Sequence, residues 1–265
     1  MSREENSWTR QDEGILNVEN LGIDFGGLRA LHSFNVTVFD GEIVGLIGPN
    51  GAGKTTVFNL LTNVYKPTRG RVSLKENEMT GQKTYEVTKS GIARTFQNIR
   101  LFRDMTVLDN VKVGLHGYAK YNVFSAMFRL PSFWREESQV DQRARELLAV
   151  FDMEGFADKT ASSLPYGAQR KLEIARALAT NPRILLLDEP AAGMNDTETR
   201  ELMNTIRTIR DEFEISILLI EHDMNLVMGI CERILVLDYG ELIATGAPEE
   251  IRNNPRVIEA YLGKE

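Results

Sequence analysis

Residues 43–56 read IVGLIGPNGAGKTT, an aliphatic run followed by a segment with three glycines, a lysine and two threonines. The run predicts a buried β-strand, and the pattern after it predicts a loop that leads into a helix. Glycines let the backbone curl so that successive N–H groups point at phosphate oxygens, and the dipole of the following helix adds positive potential. The stretch therefore predicts a phosphate-binding loop between a strand and a helix.

This loop has the residues needed to bind a nucleoside triphosphate. Lys54 is placed to bridge the β- and γ-phosphates, and the Thr55 hydroxyl is placed to bind Mg²⁺. The predicted nucleotide-binding residues are Gly48, Pro49, Asn50, Gly51, Ala52, Gly53, Lys54, Thr55 and Thr56. The alternative is a glycine turn with an incidental lysine, but it does not account for a strand before the pattern and a helix after it.

Three further aliphatic runs have the length of strands, at residues 184–187, 216–220 and 234–237. They lack strict alternation, which is typical of central strands in a parallel sheet covered on both faces. Helical patterns such as AQRKLEIARALAT (168–180) separate them, whereas residues 15–40 alternate as antiparallel strands do. The predicted fold class is α/β, with a P-loop nucleoside triphosphatase core, a mostly parallel sheet, an antiparallel β edge and a helical subdomain.

The domain organisation predicted from the pattern is simple. A single ATP-binding-type domain is expected over residues 14–265, after a polar tail at 1–13 that has no apolar core and is therefore no signal peptide. An insert at about 100–164 predicts helices around a turn near Pro131. The aromatic residues of 118–134 either pack within this insert or form a docking surface.

The composition excludes several classes of protein. A formal net charge of -7 argues against a nucleic-acid partner, which usually requires a basic excess. Cys231 is the one cysteine, so it cannot form an internal disulfide; it is predicted to fill the core, and a reducing compartment fits best. No stretch reaches the roughly 18–20 apolar residues that span a bilayer. Any membrane-spanning part is therefore expected to come from a partner.

Two adjacent carboxylates end the run ILLLDEP (184–190). An aspartate that ends a strand beside a phosphate-binding loop holds the magnesium shell, and Asp188 is predicted to do so. On an extended backbone the next side chain points the other way, which would place Glu189 near the water that attacks the γ-phosphate. One acid is therefore assigned to the metal and the other to the water.

With these features the chain resembles the ATP-binding subunits of ABC transporters. Three more residues lie in the family's order: Phe25 in IDFGG, Gln97 in ARTFQN and His222 in LLIEHD. The resemblance implies that Phe25 stacks on adenine, that Gln97 contacts Mg²⁺ and the attacking water, and that His222 contacts the γ-phosphate. Each residue alone is more often structural, so their joint order carries the resemblance.

The segment at the family's signature position, usually LSGGQ, differs here. It consists of Leu164, Pro165, Tyr166, Gly167 and Ala168. By resemblance it contacts the ATP held by a partner chain, but Pro165 replaces the serine that donates a hydroxyl, and proline has no donor. We expect weaker ATP sandwiching and retained function. Asn195 stands where the family has an aspartate, and it can hydrogen-bond without supplying charge.

The resemblance implies an ATPase that uses ATP and Mg²⁺. Its catalytic residues are Glu189, His222 and Gln97, and its metal residues are Thr55, Gln97 and Asp188. It also implies a head-to-tail dimer with a second copy or a related ATPase chain, bound to integral membrane permease subunits at the cytoplasmic face of the inner or plasma membrane. A solute-binding protein is a further expected partner. Arg100, Leu101 and Phe102 are candidates for the permease contact, or else they pack the helical insert.

Local details favour one branch of the family. The stretches ARTFQNIRLFRDMTVLDNV, SAMFRLPSFWRE, DEPAAGMN and IEAYLGKE resemble the ATPases of branched-chain amino-acid importers. Three alternatives stay open: the ATPase of lipopolysaccharide export, a soluble ABC ATPase of translation or DNA repair, and a module that binds ATP without turnover.

Overall fold

The computed structural model describes residues 14–118 and 131–262, and within them the chain forms two β-sheets and nine α-helices. The strands are β1 (Leu16–Phe25), β2 (Leu28–Val38), β3 (Ile43–Ile47), β4 (Arg69–Leu74), β5 (Asn77–Glu78), β6 (Ile92–Arg94), β7 (Ile184–Asp188), β8 (Ser216–Ile220), β9 (Arg233–Asp238) and β10 (Glu241–Gly246). The helices are α1 (Lys54–Leu61), α2 (Thr84–Ser90), α3 (Val107–Leu115), α4 (Pro131–Val150), α5 (Tyr166–Leu178), α6 (Asp196–Glu212), α7 (Met224–Ile230), α8 (Pro248–Arg252) and α9 (Pro255–Leu262).

The larger sheet has the strand order β10-β9-β3-β8-β7-β6. Its strands β9, β3, β8, β7 and β6 are parallel, and β10 pairs antiparallel with β9. The α/β prediction is confirmed, because each of the four aliphatic runs forms a strand of this sheet. The carboxyl ends of parallel strands meet at one edge, so the residues that follow β3, β6, β7 and β8 lie close together there.

The strands of the parallel sheet do not alternate between apolar and polar residues, because both faces of this sheet are buried. Leu185 and Leu187 of β7 pack into one hydrophobic core, whereas Leu186 packs into another on the opposite face of the sheet. Both faces are covered, so every position of β7 is buried and a continuous apolar run is required.

The antiparallel pairing predicted for residues 15–40 is also confirmed. β1 pairs with β2 and with β4, and these strands form a separate four-stranded sheet in the order β2-β1-β4-β5. This sheet shares a hydrophobic core with one face of the parallel sheet and with α1. It therefore lies beside the phosphate-binding loop that α1 follows.

Helices α3, α4 and α5 lie between β6 and β7 along the chain. α3 packs on α4 and α5, and Val111, Leu148 and Leu172 from these three helices belong to the same core as the parallel sheet. α4 begins at Pro131, where a proline is well suited to the first helical position. The predicted polar tail 1–13 lies outside the described residues, as does most of the aromatic stretch 118–134.

Two further predictions concern burial. Cys231 is buried against the hydrophobic core, as predicted, and this burial raises the pKa of its thiol. Across the described ranges 14–118 and 131–262, every helix is too short or too polar to span a bilayer.

Candidate functional site

The loop after β3 has the curled backbone that its glycines predict. Gly51 and Gly53 have φ angles of 81° and 106°, in the left-handed region that favours glycine. A Cβ atom on Gly48 would collide with the carbonyl oxygen of Leu237 on β9. The loop can therefore adopt this shape only with glycine at these positions, and α1 begins directly after it, at Lys54.

Lys54 lies within the curve of the loop. Its Nζ donates hydrogen bonds to the carbonyl oxygens of Gly48 at 2.7 Å and Pro49 at 2.9 Å. Burial lowers the pKa of Lys54, and the charges of Glu189 and Asp188 oppose that shift. The ammonium therefore lies inside the loop and within electrostatic reach of both acids, where it can exchange carbonyl oxygens for phosphate oxygens.

Asp188 is the last residue of β7, and its carboxylate is fixed by Arg94 of the neighbouring strand β6. The two side chains form an ion pair at 2.8 Å and are 4% and 6% exposed, respectively. Arg94 also donates to Oδ1 of Asn59 on α1 at 2.7 Å. We did not predict this partner from the sequence, because an arginine that ends a three-residue strand carries no local signal. Asp188 is thereby held in place beside the loop and α1.

Glu189 does not have the extended backbone that we predicted. Its φ angle is 47°, in the left-handed region, and its N–H donates to the carbonyl oxygen of Ile220 on β8 at 2.9 Å. That prediction is wrong because β7 ends at Asp188 and the chain turns towards β8. Non-glycine residues in unfavourable backbone regions cost about 1–3 kcal/mol and are concentrated at functional sites.

The three predicted catalytic residues come together from three strand ends. Nε2 of Gln97, after β6, donates to Oε2 of Glu189 at 2.9 Å. Nδ1 of His222, after β8, lies 3.9 Å from the same Oε2 atom, and its side chain is largely exposed. One carboxylate oxygen of Glu189 is therefore hydrogen-bonded to an amide, and an imidazole lies near it at the open edge of the sheet.

Glu221 is a buried acid whose role the sequence analysis missed. Its carboxylate accepts hydrogen bonds from the backbone N–H groups of Ala191 at 2.7 Å and His222 at 3.1 Å. Burial raises the pKa of Glu221, and these N–H groups oppose the shift. Glu221 joins the loops after β7 and β8 and so holds His222 near Glu189. The available signal was an acid directly after an aliphatic run, as in ILLLDEP.

Phe25 ends β1 before a Gly-Gly turn, and its side chain is 44% exposed. Its ring makes an edge-on contact with the ring of Tyr65, with 5.4 Å between the centroids. The β1–β2 hairpin passes near the phosphate-binding loop. A Cβ atom added to Gly53 of the loop would lie only 3.2 Å from the carbonyl oxygen of Ala30 on β2. An exposed aromatic face at this place is accessible to a nucleotide base.

The signature segment lies at the start of α5. Leu164 is buried, Pro165 occupies the cap position without a side-chain hydrogen bond, and Tyr166 opens the helix with an exposed ring. Gly167 and Ala168 follow in the first turn, where helical N–H groups have no intrahelical acceptor. Both line a small cavity of about 150 Å³ that none of the phosphate-loop residues lines. The N–H groups are thus available to a ligand supplied by another chain.

Asn195 is the N-cap of α6. Its Oδ1 accepts hydrogen bonds from the N–H groups of Thr197 at 2.9 Å and Glu198 at 3.0 Å, and Glu198 bonds back to the Asn195 N–H. We expect Asn195→Ala to lower the free energy of unfolding by about 0.5–2 kcal/mol, since the cap is lost. Urea denaturation measures this change.

The control for that measurement is Asn195→Asp, because aspartate caps a helix as well as asparagine does. We expect its stability to match that of the wild type. Equal stability of the alanine variant and the wild type would show that the cap contributes nothing.

The chemistry of the side chains near the loop fits Mg²⁺. Within residues 14–118 and 131–262, no group of three or more His, Cys, Asp or Glu side chains could hold a metal ion. Mg²⁺ does not need such a cage, because it is usually bound by one or two carboxylates together with substrate phosphates and water. Thr55 at the start of α1, Asp188 and Gln97 supply oxygens of the required kind.

Sequence comparisons agree on the family. The family model for ABC transporters matches residues 31–192, and a model for branched-chain amino acid ATP-binding cassette transporters matches residues 241–265. The high-affinity branched-chain amino acid transport ATP-binding protein LivG of Escherichia coli K12 is 50% identical, covering 94% of this chain and 98% of its own length. The lipopolysaccharide export system ATP-binding protein LptB of Acidithiobacillus ferridurans is 34% identical, covering 94% and 97%.

Two solved structures extend the agreement to the fold. The ADP conformation of the ABC transporter cassette MJ1267 has a TM-score of 0.82 and 30% identity, covering 95% of this chain and 99% of that one. The cassette MJ0796, solved as a post-hydrolysis dimer with ADP and Pi, has a TM-score of 0.74 and 27% identity, covering 88% and 98%. The phosphate-binding loop, the strand-end residues and these matches lead to one conclusion: the chain belongs to the family of ABC transporter ATP-binding proteins and is an ATPase.

Proposed function

We propose that this chain hydrolyses ATP to power the import of branched-chain amino acids through separate membrane subunits. Its support is the 50% identity to LivG over nearly the whole chain, together with the C-terminal match at residues 241–265. The export alternative is less well supported, because LptB is only 34% identical. A soluble, non-transport ABC ATPase is also less well supported, since the two relatives described above are named as transport or export proteins.

The hydrogen bond between Gln97 and Glu189 supports ATP hydrolysis, as opposed to ATP binding without hydrolysis. It places a carboxylate that can accept a proton beside an amide that can orient water, one residue after Asp188. A module that only binds ATP does not require this pair.

The phosphates of ATP are assigned to the loop Gly48–Thr56. Its curled backbone presents N–H groups to phosphate oxygens, and Lys54 would exchange its carbonyl partners for the β- and γ-phosphates. Phe25 would stack on adenine. For nucleic-acid bases such stacking contributes about 1–3 kcal/mol, which is the nearest guide.

The magnesium site is assigned to Thr55, Gln97 and Asp188. When bound, Mg²⁺ neutralises charge that develops on the β- and γ-phosphate oxygens. Arg94 fixes the Asp188 carboxylate from the side of β6, so this ligand does not have to be ordered when the nucleotide arrives.

The attacking water is assigned to Glu189 and its neighbours. Glu189 would accept the proton of the water as general base, Gln97 would orient the water, and His222 would bind the γ-phosphate. The hydrogen bond from Gln97 to Oε2 of Glu189, with His222 Nδ1 3.9 Å from the same atom, supports these three assignments. General-base catalysis at such a point is worth roughly 10² to 10⁴ in rate.

The active assembly is proposed to be a head-to-tail dimer, in which Leu164–Ala168 of one chain contacts the ATP bound by the other. The cassette MJ0796, which was solved as a dimer, supports dimer formation. The partner is a second copy or a related ATPase chain. Exposed N–H groups at the start of α5 would replace the hydroxyl that Pro165 lacks.

Permease subunits are proposed to dock in a cavity of about 830 Å³ that Arg100, Leu101 and Phe102 line together with residues of α2, α3 and α5. The Phe102 ring is exposed, which favours docking over packing within the insert. The chain would then lie peripherally at the cytoplasmic face of the membrane. A solute-binding protein would deliver the solute from the other side, and no nucleic-acid partner is proposed.

We also propose that residues 14–265 form one ATP-binding domain after the tail 1–13. The helical insert would span about 100–164. The packing of α3, α4 and α5 on the core of the parallel sheet supports a single domain.

The transport proposal is tested by the uptake of radiolabelled leucine in cells whose gene carries Glu189→Gln, beside wild-type cells. We expect leucine uptake to fall to the level of a gene deletion, because hydrolysis drives import. Uptake of an unrelated amino acid should be unchanged. Normal leucine uptake in a strain that lacks other leucine transporters would refute the importer assignment, and lipopolysaccharide export would be measured next.

A further inference from the structure

Arg170 on α5 is the largest side chain that is fully buried among the described residues. Its guanidinium pairs with the carboxylate of Glu173, one turn further along α5, at 2.9 Å, and the two side chains are 0% and 2% exposed. Burial of a charged pair is expensive, and hydrogen bonds to the two terminal nitrogens of the guanidinium offset part of that cost, whereas its Nε has no partner within the described residues. The other bonds of this guanidinium do not go to α5.

The guanidinium donates hydrogen bonds to the backbone of both members of the catalytic pair, Gln97 and Glu189, and to that of Phe96. One nitrogen donates to the carbonyl oxygen of Phe96 at 2.6 Å, and the other donates to the carbonyl oxygens of Gln97 at 2.8 Å and Glu189 at 3.3 Å. The side chains of Gln97 and Glu189 are bonded to each other at 2.9 Å. Arg170 thus closes a ring in which both residues are joined through their carbonyl groups and through their side chains.

Glu173 secures the ring from its other side. One of its oxygens pairs with Arg170, and the other accepts the N–H of Arg100 at 3.1 Å. The segment from Phe96 to Arg100 lies outside the helices and strands. Its hydrogen bonds to Arg170 and Glu173 therefore fix its path. Glu189 is held in a left-handed conformation within the same ring.

We infer that Arg170 is a positioning residue for ATP hydrolysis, which sets the relative placement of Gln97 and Glu189 through their backbone carbonyls. This inference rests on the roles proposed above for those two residues. Only the planar, forked guanidinium can span three carbonyl oxygens and a carboxylate at once, and a lysine ammonium cannot. The Arg170 side chain is fully buried and bonds to protein groups, so we expect its effect on hydrolysis to pass through the pair.

The test measures phosphate release from MgATP, and separately the binding of a fluorescent ATP analogue, with the full-length chain. For Arg170→Met we expect kcat to fall by up to about 10²-fold, as a misplacement of about 1 Å can do. The KM and the affinity for nucleotide should stay within about twofold of wild type. Arg170→Lys should not restore kcat.

Two further variants separate positioning from folding. Arg170→Met alone leaves Glu173 buried without its partner, so Arg170→Met with Glu173→Gln removes both charges while keeping an acceptor for the Arg100 N–H. The double variant should fold and should still hydrolyse ATP slowly. The matched control is Arg233→Met, because Arg233 also binds a carboxylate, Glu42, and a backbone carbonyl, that of Thr37, at the far end of the sheet. It should lower the melting temperature and leave kcat unchanged.

A double-mutant cycle with Glu189→Gln gives the deciding readout. If Arg170 acts through Glu189, Arg170→Met should slow the Glu189→Gln variant by no more than about twofold. An equal loss of rate in both backgrounds, or a folded Arg170→Met/Glu173→Gln variant with normal kcat, would overturn the inference. Normal turnover of Glu189→Gln itself would instead remove the proposed role of Glu189, and the inference with it.

Discussion

Glu189→Gln should slow ATP hydrolysis by roughly 10² to 10⁴, since the amide cannot accept a proton from the attacking water. Nucleotide affinity should be largely intact, because the Glu189 side chain bonds to Gln97 and lies near His222, and the phosphate-binding loop keeps all of its own contacts. Glutamine has nearly the same shape, so the left-handed backbone at this position is not made worse. Phosphate release and binding of a fluorescent ATP analogue measure the two effects separately.

The control for this measurement is Glu214→Gln. Glu214 is also a glutamate with a left-handed φ angle, 49°, but it is exposed and precedes β8 at the opposite edge of the parallel sheet. The same chemical change in the same backbone conformation should leave turnover at the wild-type rate. If Glu189→Gln retained near wild-type turnover as well, Glu189 would not be the base, and His222 would be the next residue to test.

The strands and the loop of the site could be predicted from sequence because their signals are local. Residues 43–56 combine a buried strand, left-handed glycines and the first turn of a helix within one short stretch, and each part has its own pattern. Glu189 was predicted from the strand that precedes it, whereas Gln97 and His222 were assigned through the family resemblance. No contact between them had to be known.

The residues that fix the site could not be predicted in this way. Arg94, Arg170 and Glu221 act through partners that are distant in sequence: Arg170 and Phe96 are separated by 74 positions. A charged residue inside a helix such as α5 normally predicts an exposed face, and only the folded chain shows that this one is buried. The left-handed conformation of Glu189 was missed for a similar reason, because it is imposed by the hydrogen bond to Ile220 on β8.

Lys54→Met should weaken ATP binding and slow turnover. The ammonium is the one side-chain cation bonded inside the loop in the described part of the chain, and hydrogen bonds to charged groups contribute about 1.5–3 kcal/mol each. Loss of one such bond weakens the affinity for MgATP by about 10- to 10²-fold. Turnover should fall further, by about 10²- to 10³-fold, as for other preorganised donors. Isothermal titration and phosphate release measure the two losses.

The stability of this variant should change in the opposite direction. Burial lowers the pKa of Lys54, so at neutral pH the folded, nucleotide-free chain is penalised for holding a charge that the unfolded chain keeps in water. Methionine removes that penalty, and the melting temperature without nucleotide should be equal to or higher than that of the wild type.

The control for the binding measurement is Lys112→Met, which removes a half-buried ammonium that pairs with Glu137. Because that ion pair lies in the helical insert, this variant should bind MgATP normally. Binding by Lys54→Met within about twofold of wild type would show that the loop holds the phosphates through its backbone alone.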